Sequence, residues 1–141
     1  MSQGALNIKV LSPERILFRG TAKSVGLPGA LGYMTLLPGH ATMVAELDVG
    51  LLVLETDSQS GDKLFISGGF VDVSNEGVTV LANVIEKASE INAERAKKAL
   101  LRADERLNAN KAADVDVPRA LTAKKRAQQR LELAGITKVL H

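Results

Sequence analysis

Residues 27–52, LPGALGYMTLLPGHATMVAELDVGLL, place turn-forming residues between short apolar segments. The turn-formers are two Pro-Gly pairs, Pro28-Gly29 and Pro38-Gly39, and a further glycine, Gly32. Proline presets φ for a turn and the following glycine accepts a positive φ, so each pair is expected to reverse the chain sharply. Because no helical periodicity survives across such turns, the segments between them are predicted to be strands of a small β-sandwich or barrel.

The same pattern continues on both sides of this stretch. Residues 6–11 largely alternate apolar and polar side chains, as a half-buried strand does. Predicted strands at 41–46 and 50–56 follow the turns. Two more, at 63–66 and 70–74, flank Ser67-Gly68-Gly69, where the glycines predict a bulge or a close backbone approach. The sequence thus predicts an all-β sandwich or barrel of about nine or ten short strands within residues 1–88.

Composition changes near residue 89. Residues 1–91 hold six Lys and Arg against ten Asp and Glu, a net charge of −4, together with all four aromatic residues. Residues 92–141 hold twelve basic against six acidic residues, a net charge of +6. Opposite charges suggest two modules with different partners. We expect an α+β protein with segregated parts, a β-sandwich at 1–88 and a helical region at 89–141.

The helical region is predicted to be an antiparallel hairpin. Asn92 is suited to cap a first helix that runs to about residue 109, and Asp116 a second that ends at Gly135. The predicted apolar stripes are Ala96, Leu100, Ala103 and Leu107 in the first helix, and Ala120, Ala123, Ala127, Leu131 and Ala134 in the second. Alanine stripes bury few methylenes at about 0.8 kcal/mol each, so this hairpin should open easily.

The chain offers little chemistry for catalysis or metal binding. It has no cysteine, and its two histidines are His40, in a predicted turn, and the terminal His141. Neither a G-x-S-x-G nor a P-loop pattern is present, and no carboxylates form an evident acid-base pair. No apolar run approaches the roughly 20 residues that cross a bilayer. We therefore predict no catalytic residues, no metal site and no membrane span.

Arginines recur at helical spacing beside each apolar stripe. They form two rows, Arg95, Arg102 and Arg106 in the first helix and Arg119, Arg126 and Arg130 in the second. Positions seven and four residues apart share a helix face, so a hairpin can bring both rows to one side. Guanidinium groups there would suit an anion that carries several phosphates. The alternative is two solvated rows whose stems cover the alanines.

Longer motifs carry a family resemblance. LLPGHATMVAELDVGLL at 36–52 and FISGGFVDVSNEGVTVLA at 65–82, followed by the basic two-helix tail, resemble the epsilon subunit of bacterial and chloroplast F-type ATP synthases, the counterpart of mitochondrial delta. The resemblance covers essentially the whole chain in the expected order. It implies a non-catalytic rotor subunit of a proton-transporting synthase, without a required cofactor, peripheral to the cytoplasmic face of the bacterial plasma membrane or the stromal face of the thylakoid.

The resemblance also implies partners. The sandwich would clamp the gamma subunit to the ring of c subunits. The hairpin would permit turnover when folded on the sandwich and would block ATP hydrolysis when extended along gamma into the alpha/beta catalytic head. The residues expected to meet the acidic helix-turn-helix of the beta subunits are Arg119, Lys124, Lys125, Arg126 and Arg130. The resemblance also allows ATP as a regulatory ligand.

Some family members bind ATP on the folded hairpin through an Ile-Asp-x-x-Arg-Ala motif and arginines of the second helix. The corresponding residues here are Ile91, Asn92, Arg95, Ala96, Arg126 and Arg130, with Glu86 as a further contact. Asn92 stands where the motif has Asp. The replacement provides a hydrogen-bonding amide and loses a carboxylate acceptor.

Tyr33 and His40 are expected at the interface with the rotor ring and gamma. An acidic residue is common in the family near Tyr33, so tyrosine would turn an ionic contact into a packing or hydrogen-bonding one. His40 can equally be a turn residue whose ring hydrogen-bonds the local backbone, and both roles are compatible.

A second function class is a basic binding module for nucleic acid or an anionic membrane surface. The tail, however, has no aromatic residue for base stacking, and its alanine face is thin for membrane insertion. The acidic β-module would also repel phosphate backbones. These features favour the rotor subunit, with no nucleic-acid partner.

Overall fold

The computed structural model describes residues 4–56, 62–108 and 117–135. The elements are β1 (Leu6–Leu11), β2 (Ile16–Ala22), β3 (Ser24–Gly29), β4 (Gly32–Leu36), β5 (Met43–Glu55), β6 (Asp62–Ser74), β7 (Gly77–Lys87), a short 3-10 helix (Ala88–Glu90), α1 (Ala93–Asn108) and α2 (Val117–Leu133). The chain divides into two compact units between Glu86 and Lys87. We call them the sandwich and the hairpin.

The strands form a mixed sheet in the order β2-β1-β7-β6-β5-β3-β4. β1 pairs antiparallel with β2 and parallel with β7. β3 pairs antiparallel with both β4 and β5, and β5 pairs antiparallel with β6 along most of its length. An all-β unit followed by two helices confirms the predicted fold class.

In each of the two longest strands, β5 and β6, the face that points into the core changes midway along the strand. In β5, Ala45 and Leu47 contribute to the core near one end, whereas Leu52 and Leu54 do so near the other. The odd-to-even change shows that the strand turns a different face inward, as strands do where they pass between the layers of a sandwich. β6 changes in the same way, so one hydrogen-bonded ladder serves both layers.

The predicted number of strands is therefore wrong. The described residues form seven strands, because the predicted segments 41–46 and 50–56 fall largely within the one strand β5, and 63–66 and 70–74 both lie in β6. The sequence shows the change of periodicity but not the continuous backbone pairing, from Met43↔Val73 to Leu54↔Asp62, that bridges it.

Two glycines make the change of face in β6 possible. Gly68 and Gly69 have φ of 72° and 119°, in the region that disfavours side chains. A Cβ at Gly69 would collide with the Leu81 carbonyl oxygen and lie 2.6 Å from the Ala82 Cα. The predicted close backbone approach at Ser67-Gly68-Gly69 is confirmed.

The two Pro-Gly pairs behave differently. Pro38-Gly39 forms the predicted turn, since Gly39 has φ of 83° and the His40 N–H donates to the Leu37 carbonyl oxygen at 3.1 Å. Pro28-Gly29 instead lies within β3, and the reversal follows at residues 30–31. The expectation of a turn there is wrong.

The strand accommodates Pro28 because its missing N–H is tolerated where pairing is irregular. The β3–β5 register shifts between Gly26 and Gly29, next to the proline. The Pro28 ring also fills the space above Gly50, where an added Cβ would lie 2.7 Å from the Pro28 Cβ. Packing between strands thus decides what the local turn signal leaves open.

The predicted ends of the hairpin helices are confirmed where they are described. The Arg95 N–H donates to the Asn92 Oδ1 at 2.9 Å, which makes Asn92 the N-cap of α1. After α2, Gly135 has φ of 84° and its N–H donates to the Glu132 carbonyl oxygen at 3.0 Å. The predicted cap Asp116 lies outside the described residues.

Candidate functional site: the arginine side of the hairpin

Helices α1 and α2 pack through a small apolar contact. Its buried members are Ala96, Leu100, Ala127 and Leu131, and Ala93 and Ala99 pack against them. Leucine and alanine side chains at helical spacing form this contact because they fall on one face of each helix. The predicted stripes therefore supply the helix-helix contact.

An ion pair marks one side of the hairpin. The Lys124 Nζ lies 2.8 Å from the Asp104 Oδ1, and the two side chains are 34% and 44% exposed. On a 3.6-residue helix, Asp104 and the arginines of α1 flank the apolar stripe on opposite sides, as do Lys124 and the arginines of α2. Because Asp104 and Lys124 meet, the other two flanks also lie on a common side.

This second side carries both arginine rows, and we call it the arginine side. It comprises Arg95, Arg102, Arg106, Arg119, Arg126 and Arg130. The ion pair sets the antiparallel register, so Arg102 lies level with Arg126. Arg106 and Arg119, and Arg95 and Arg130, are each level to within one helical turn, about 5 Å along the axis. The helices thus present three successive arginine pairs.

The arginine side is accessible and strongly positive. Four of its residues are exposed, and Arg126 and Arg130 are half-buried. The acidic residues of the two helices, Glu94, Asp104, Glu105 and Glu132, occupy other positions around the helix axes. An anion bound between the two rows would contact both helices, so it would favour the closed form of the hairpin.

The residues predicted to bind ATP lie at several different positions. Asn92 caps α1, and Ala96 is buried in the helix-helix contact. Arg95 begins the arginine side, while Ile91 is half-buried just before the cap. Glu86 lies near the end of β7, in the sandwich unit. Within the hairpin, three charged residues of the predicted set, Arg95, Arg126 and Arg130, are on one side.

The residues predicted to contact the catalytic head do not share one surface. Arg119, Arg126 and Arg130 are on the arginine side, whereas Lys124 pairs with Asp104 on the other. Lys125 is exposed and points away from the helix-helix contact. The Asp104–Lys124 pair was missed from the sequence, although opposite charges flanking both stripes were a usable signal.

Tyr33 and His40 lie in different surroundings on the sandwich. Tyr33 is 60% exposed on β4, and its hydroxyl covers Gly26, where a Cβ would collide with it. Partial burial raises the pKa of the Tyr33 phenol above its usual value. The His40 Nδ1 lies 2.8 Å from the Ala41 carbonyl oxygen, so the ring does bond the local backbone.

His40 also lines a cavity of about 570 Å³ together with Pro38, Gly39 and residues of the β6–β7 turn. Tyr33 is not among its lining residues. The two predicted interface residues thus do not share this cavity, and their interface role stays a prediction.

Two further observations concern the described part of the chain. Neither α1 nor α2 is long and apolar enough to cross a membrane. Within residues 4–56, 62–108 and 117–135, no three His, Asp or Glu side chains are grouped as metal ligands would be.

The architecture places the chain in a class of proteins with a β-sandwich followed by a helical hairpin. One chain in a cryo-EM structure of the Euglena gracilis mitochondrial ATP synthase, described as OSCP/F1/c-ring, shares this fold with a TM-score of 0.69. It is 22% identical, and the match covers 98% of this chain and 82% of that one. A chain of the Tetrahymena thermophila mitochondrial ATP synthase central stalk and c-ring matches with a TM-score of 0.55 at 13% identity, covering 95% and 94%.

Sequence comparison identifies the family. Residues 5–88 match the family described as ATP synthase, Delta/Epsilon chain, beta-sandwich domain. The ATP synthase epsilon chain of Solibacter usitatus is 44% identical over 131 residues, covering 92% of this chain and 95% of that one. That of Moorella thermoacetica is 35% identical over 131 residues, covering 93% and 97%. The chain belongs to the ATP synthase epsilon chain family, and the predicted resemblance is confirmed.

Proposed function

We propose that this chain is the non-catalytic central-stalk subunit of a proton-translocating F-type ATP synthase. It would couple the c-ring and the gamma subunit to the alpha/beta catalytic head, as a peripheral protein at the cytoplasmic face of the membrane. The match to epsilon chains over more than nine-tenths of both sequences supports this role, because it includes the hairpin as well as the sandwich.

The hairpin is proposed to regulate ATP hydrolysis. The observation that carries this proposal is the small apolar contact between the described parts of the helices, where alanines outnumber leucines among the buried residues, beside a partly exposed ion pair. Such an ion pair contributes about 0–1 kcal/mol, so folded and opened hairpins differ little in free energy. The opened helices would lie along gamma and present their basic residues to the acidic helix-turn-helix of beta.

ATP is the proposed ligand of the folded hairpin. Arg95, Arg126 and Arg130 lie on one side of it, and guanidinium groups bind phosphate oxygens through paired hydrogen bonds. A ligand that binds only the folded form stabilises it by its own binding free energy. ATP would thereby favour active enzyme without contacting the catalytic head.

The sandwich is proposed to contact the gamma subunit through exposed apolar residues. Val44, Phe70 and Leu81, on the neighbouring strands β5, β6 and β7, are all exposed. Val44 pairs with Asp72 and Glu46 with Phe70, so Val44 and Phe70 are diagonal neighbours on one face. Tyr33 and His40 would contribute contacts to gamma or the c-ring elsewhere on the unit. Phe70→Glu should reduce co-purification of the chain with gamma, whereas Ile16→Glu, also exposed but on β2, should not.

Removal of the hairpin tests the regulatory role. A chain that ends at Ser89 keeps the sandwich and should still assemble, while ATP hydrolysis by the membrane-bound complex should rise. The measurement is ATPase activity normalised to assembled complex, with full-length complex as the control. Equal hydrolysis in the two complexes would rule out inhibition by the hairpin.

Calorimetric titration of ATP into the full-length chain tests the nucleotide site. Arg126→Ala should abolish the binding heat, because it removes a cation from the arginine side. Lys97→Ala is the matched control, since it removes one exposed cation from another face of α1 and should leave the affinity unchanged. Wild-type protein that releases no heat would contradict ATP as the ligand.

A further inference from the structure

The arginine side is longer than a triphosphate needs. The rise from Arg95 to Arg106 along α1 is about 16 Å at 1.5 Å per residue, and α2 supplies an arginine near each level. A triphosphate chain that reached Arg95, Arg126 and Arg130 would leave the Arg106–Arg119 pair without a role in binding it. The feature to be explained is therefore the full row of three pairs.

The chemistry of the side points to a ligand made of phosphate groups alone. Every cation in the row is an arginine, the side chain whose planar fork matches two phosphate oxygens. The helices contain no aromatic residue, so they offer no surface on which a nucleic-acid base could stack. Their main apolar stripes are occupied by the helix-helix contact, which disfavours insertion into a lipid surface.

We infer that the arginine side of the folded hairpin binds linear inorganic polyphosphate along its length. Successive phosphoryl groups would meet the Arg95–Arg130, Arg102–Arg126 and Arg106–Arg119 pairs in turn. The bound chain contacts both helices of the folded hairpin and not those of an opened one, so it favours the folded form. This inference extends the proposed nucleotide site beyond its motif and does not require that ATP bind.

The test compares four probes with the full-length chain: long-chain sodium polyphosphate, sodium tripolyphosphate, ATP and a polyglutamate peptide. Calorimetry at several salt concentrations gives the Kd and its salt dependence for each. Arg106→Ala/Arg119→Ala removes the outer pair, which lies outside the nucleotide motif. Lys63→Ala/Lys97→Ala removes the same charge from two exposed positions off the arginine side and serves as the control, and circular dichroism checks that both variants keep their helices.

We expect long-chain polyphosphate to bind more tightly than tripolyphosphate. Loss of the outer pair should weaken polyphosphate binding about tenfold, which corresponds to about 1.4 kcal/mol, and should leave tripolyphosphate and ATP unaffected. For polyphosphate, the slope of log Kd against log salt should be smaller by about 1.4 in the variant that lacks the outer pair, because two phosphate contacts disappear. The lysine variant should change each Kd by less than about twofold.

Three results would overturn the inference. Equal weakening by the lysine and arginine variants would show only non-specific attraction to a basic tail. Equal affinity for long-chain polyphosphate and tripolyphosphate would show that the outer pair is not part of the site. Preference for an acidic peptide over polyphosphate, lost with the same arginines, would assign the side to a protein partner. Polyphosphate binding without ATP binding would support the inference and contradict the nucleotide proposal alone.

Discussion

The two units of this protein are stabilised to very different degrees by their apolar residues. Among the described residues, the sandwich has a core cluster of eighteen buried residues, drawn from all seven strands and rich in leucine, valine and isoleucine. The corresponding cluster in the hairpin has four, of which two are alanines. Each buried leucine contributes about 1.5–3 kcal/mol, whereas an alanine methyl contributes far less.

This difference matches two different tasks. A unit that transmits torque must keep one shape, and long-range strand pairing around a large core provides that. A unit that regulates must exchange between states, and a small contact leaves them close in free energy. The following substitutions separate the two behaviours.

The largest effect is expected at Gly69. Alanine there would suffer both a φ of 119° and a collision with the Leu81 carbonyl oxygen, so the sandwich should lose about 4 kcal/mol or more. Gly39→Ala is the control in the same unit, because φ is 83° but no atom lies within 4 Å of the new Cβ. This change should lower the free energy of unfolding by only about 1 kcal/mol. Chemical denaturation measures both changes. Similar losses at both glycines would mean that backbone strain, not the close strand approach, dominates.

A matched pair of leucines tests whether the units unfold separately. Leu27 and Leu131 are both fully buried, one in each unit. Either change to alanine should cost about 3 kcal/mol locally. Leu131→Ala should lower the helical circular dichroism signal and leave the denaturation midpoint of the sandwich constant. Leu27→Ala should lower the denaturation midpoint of the sandwich. A single shared transition shifted equally by both variants would contradict independent units.

Asn92 tests the start of α1. Asn92→Ala removes the acceptor for the Arg95 N–H and should destabilise the hairpin by about 1 kcal/mol. Asn92→Asp keeps the cap and adds a negative charge at a helix N-terminus, so helicity should be equal or higher. Helix content by circular dichroism distinguishes them. An alanine variant as helical as the aspartate variant would show that the cap is dispensable.

The smallest effect concerns Tyr33 in alkali. Because burial raises its pKa in the folded protein above 10.0, its contribution to stability is complete below that pH and is lost as pH rises through the folded pKa. Tyr33 is the only tyrosine and there is no tryptophan, so phenolate absorbance reports it alone. The pH midpoint of this phenolate titration should be higher in native than in denatured protein. Coincident midpoints would show that the ring over Gly26 is not desolvated.

Local signals predicted much of the hairpin. Spacing alone reveals Asn92 as the cap of α1, Gly135 as the end of α2 and the alanine-leucine stripes. Each of these features depends only on neighbours within a few residues. The sandwich was harder. Its class followed from alternation and glycines, but the strand number did not, because the ladder between β5 and β6 joins residues distant in the sequence.

The candidate site shows the same division. Spacing placed each arginine row on one face of its helix, but only the Asp104–Lys124 contact shows that both rows share a side of the hairpin. Within the sandwich, Pro28 carries a strong turn signal and yet lies in a strand, where its ring covers Gly50.

The sequence by itself determined the segregation of a β-unit from a basic helical pair, the caps of the helices and the positions of the arginines along them. These properties arise from backbone preferences and from the periods of helices and strands, which act over a few residues. Only the tertiary structure decided the continuity of β5 and β6, the place of Pro28 and the common arginine side. Each of those depends on which distant segments come into contact, and a one-dimensional pattern does not contain that information.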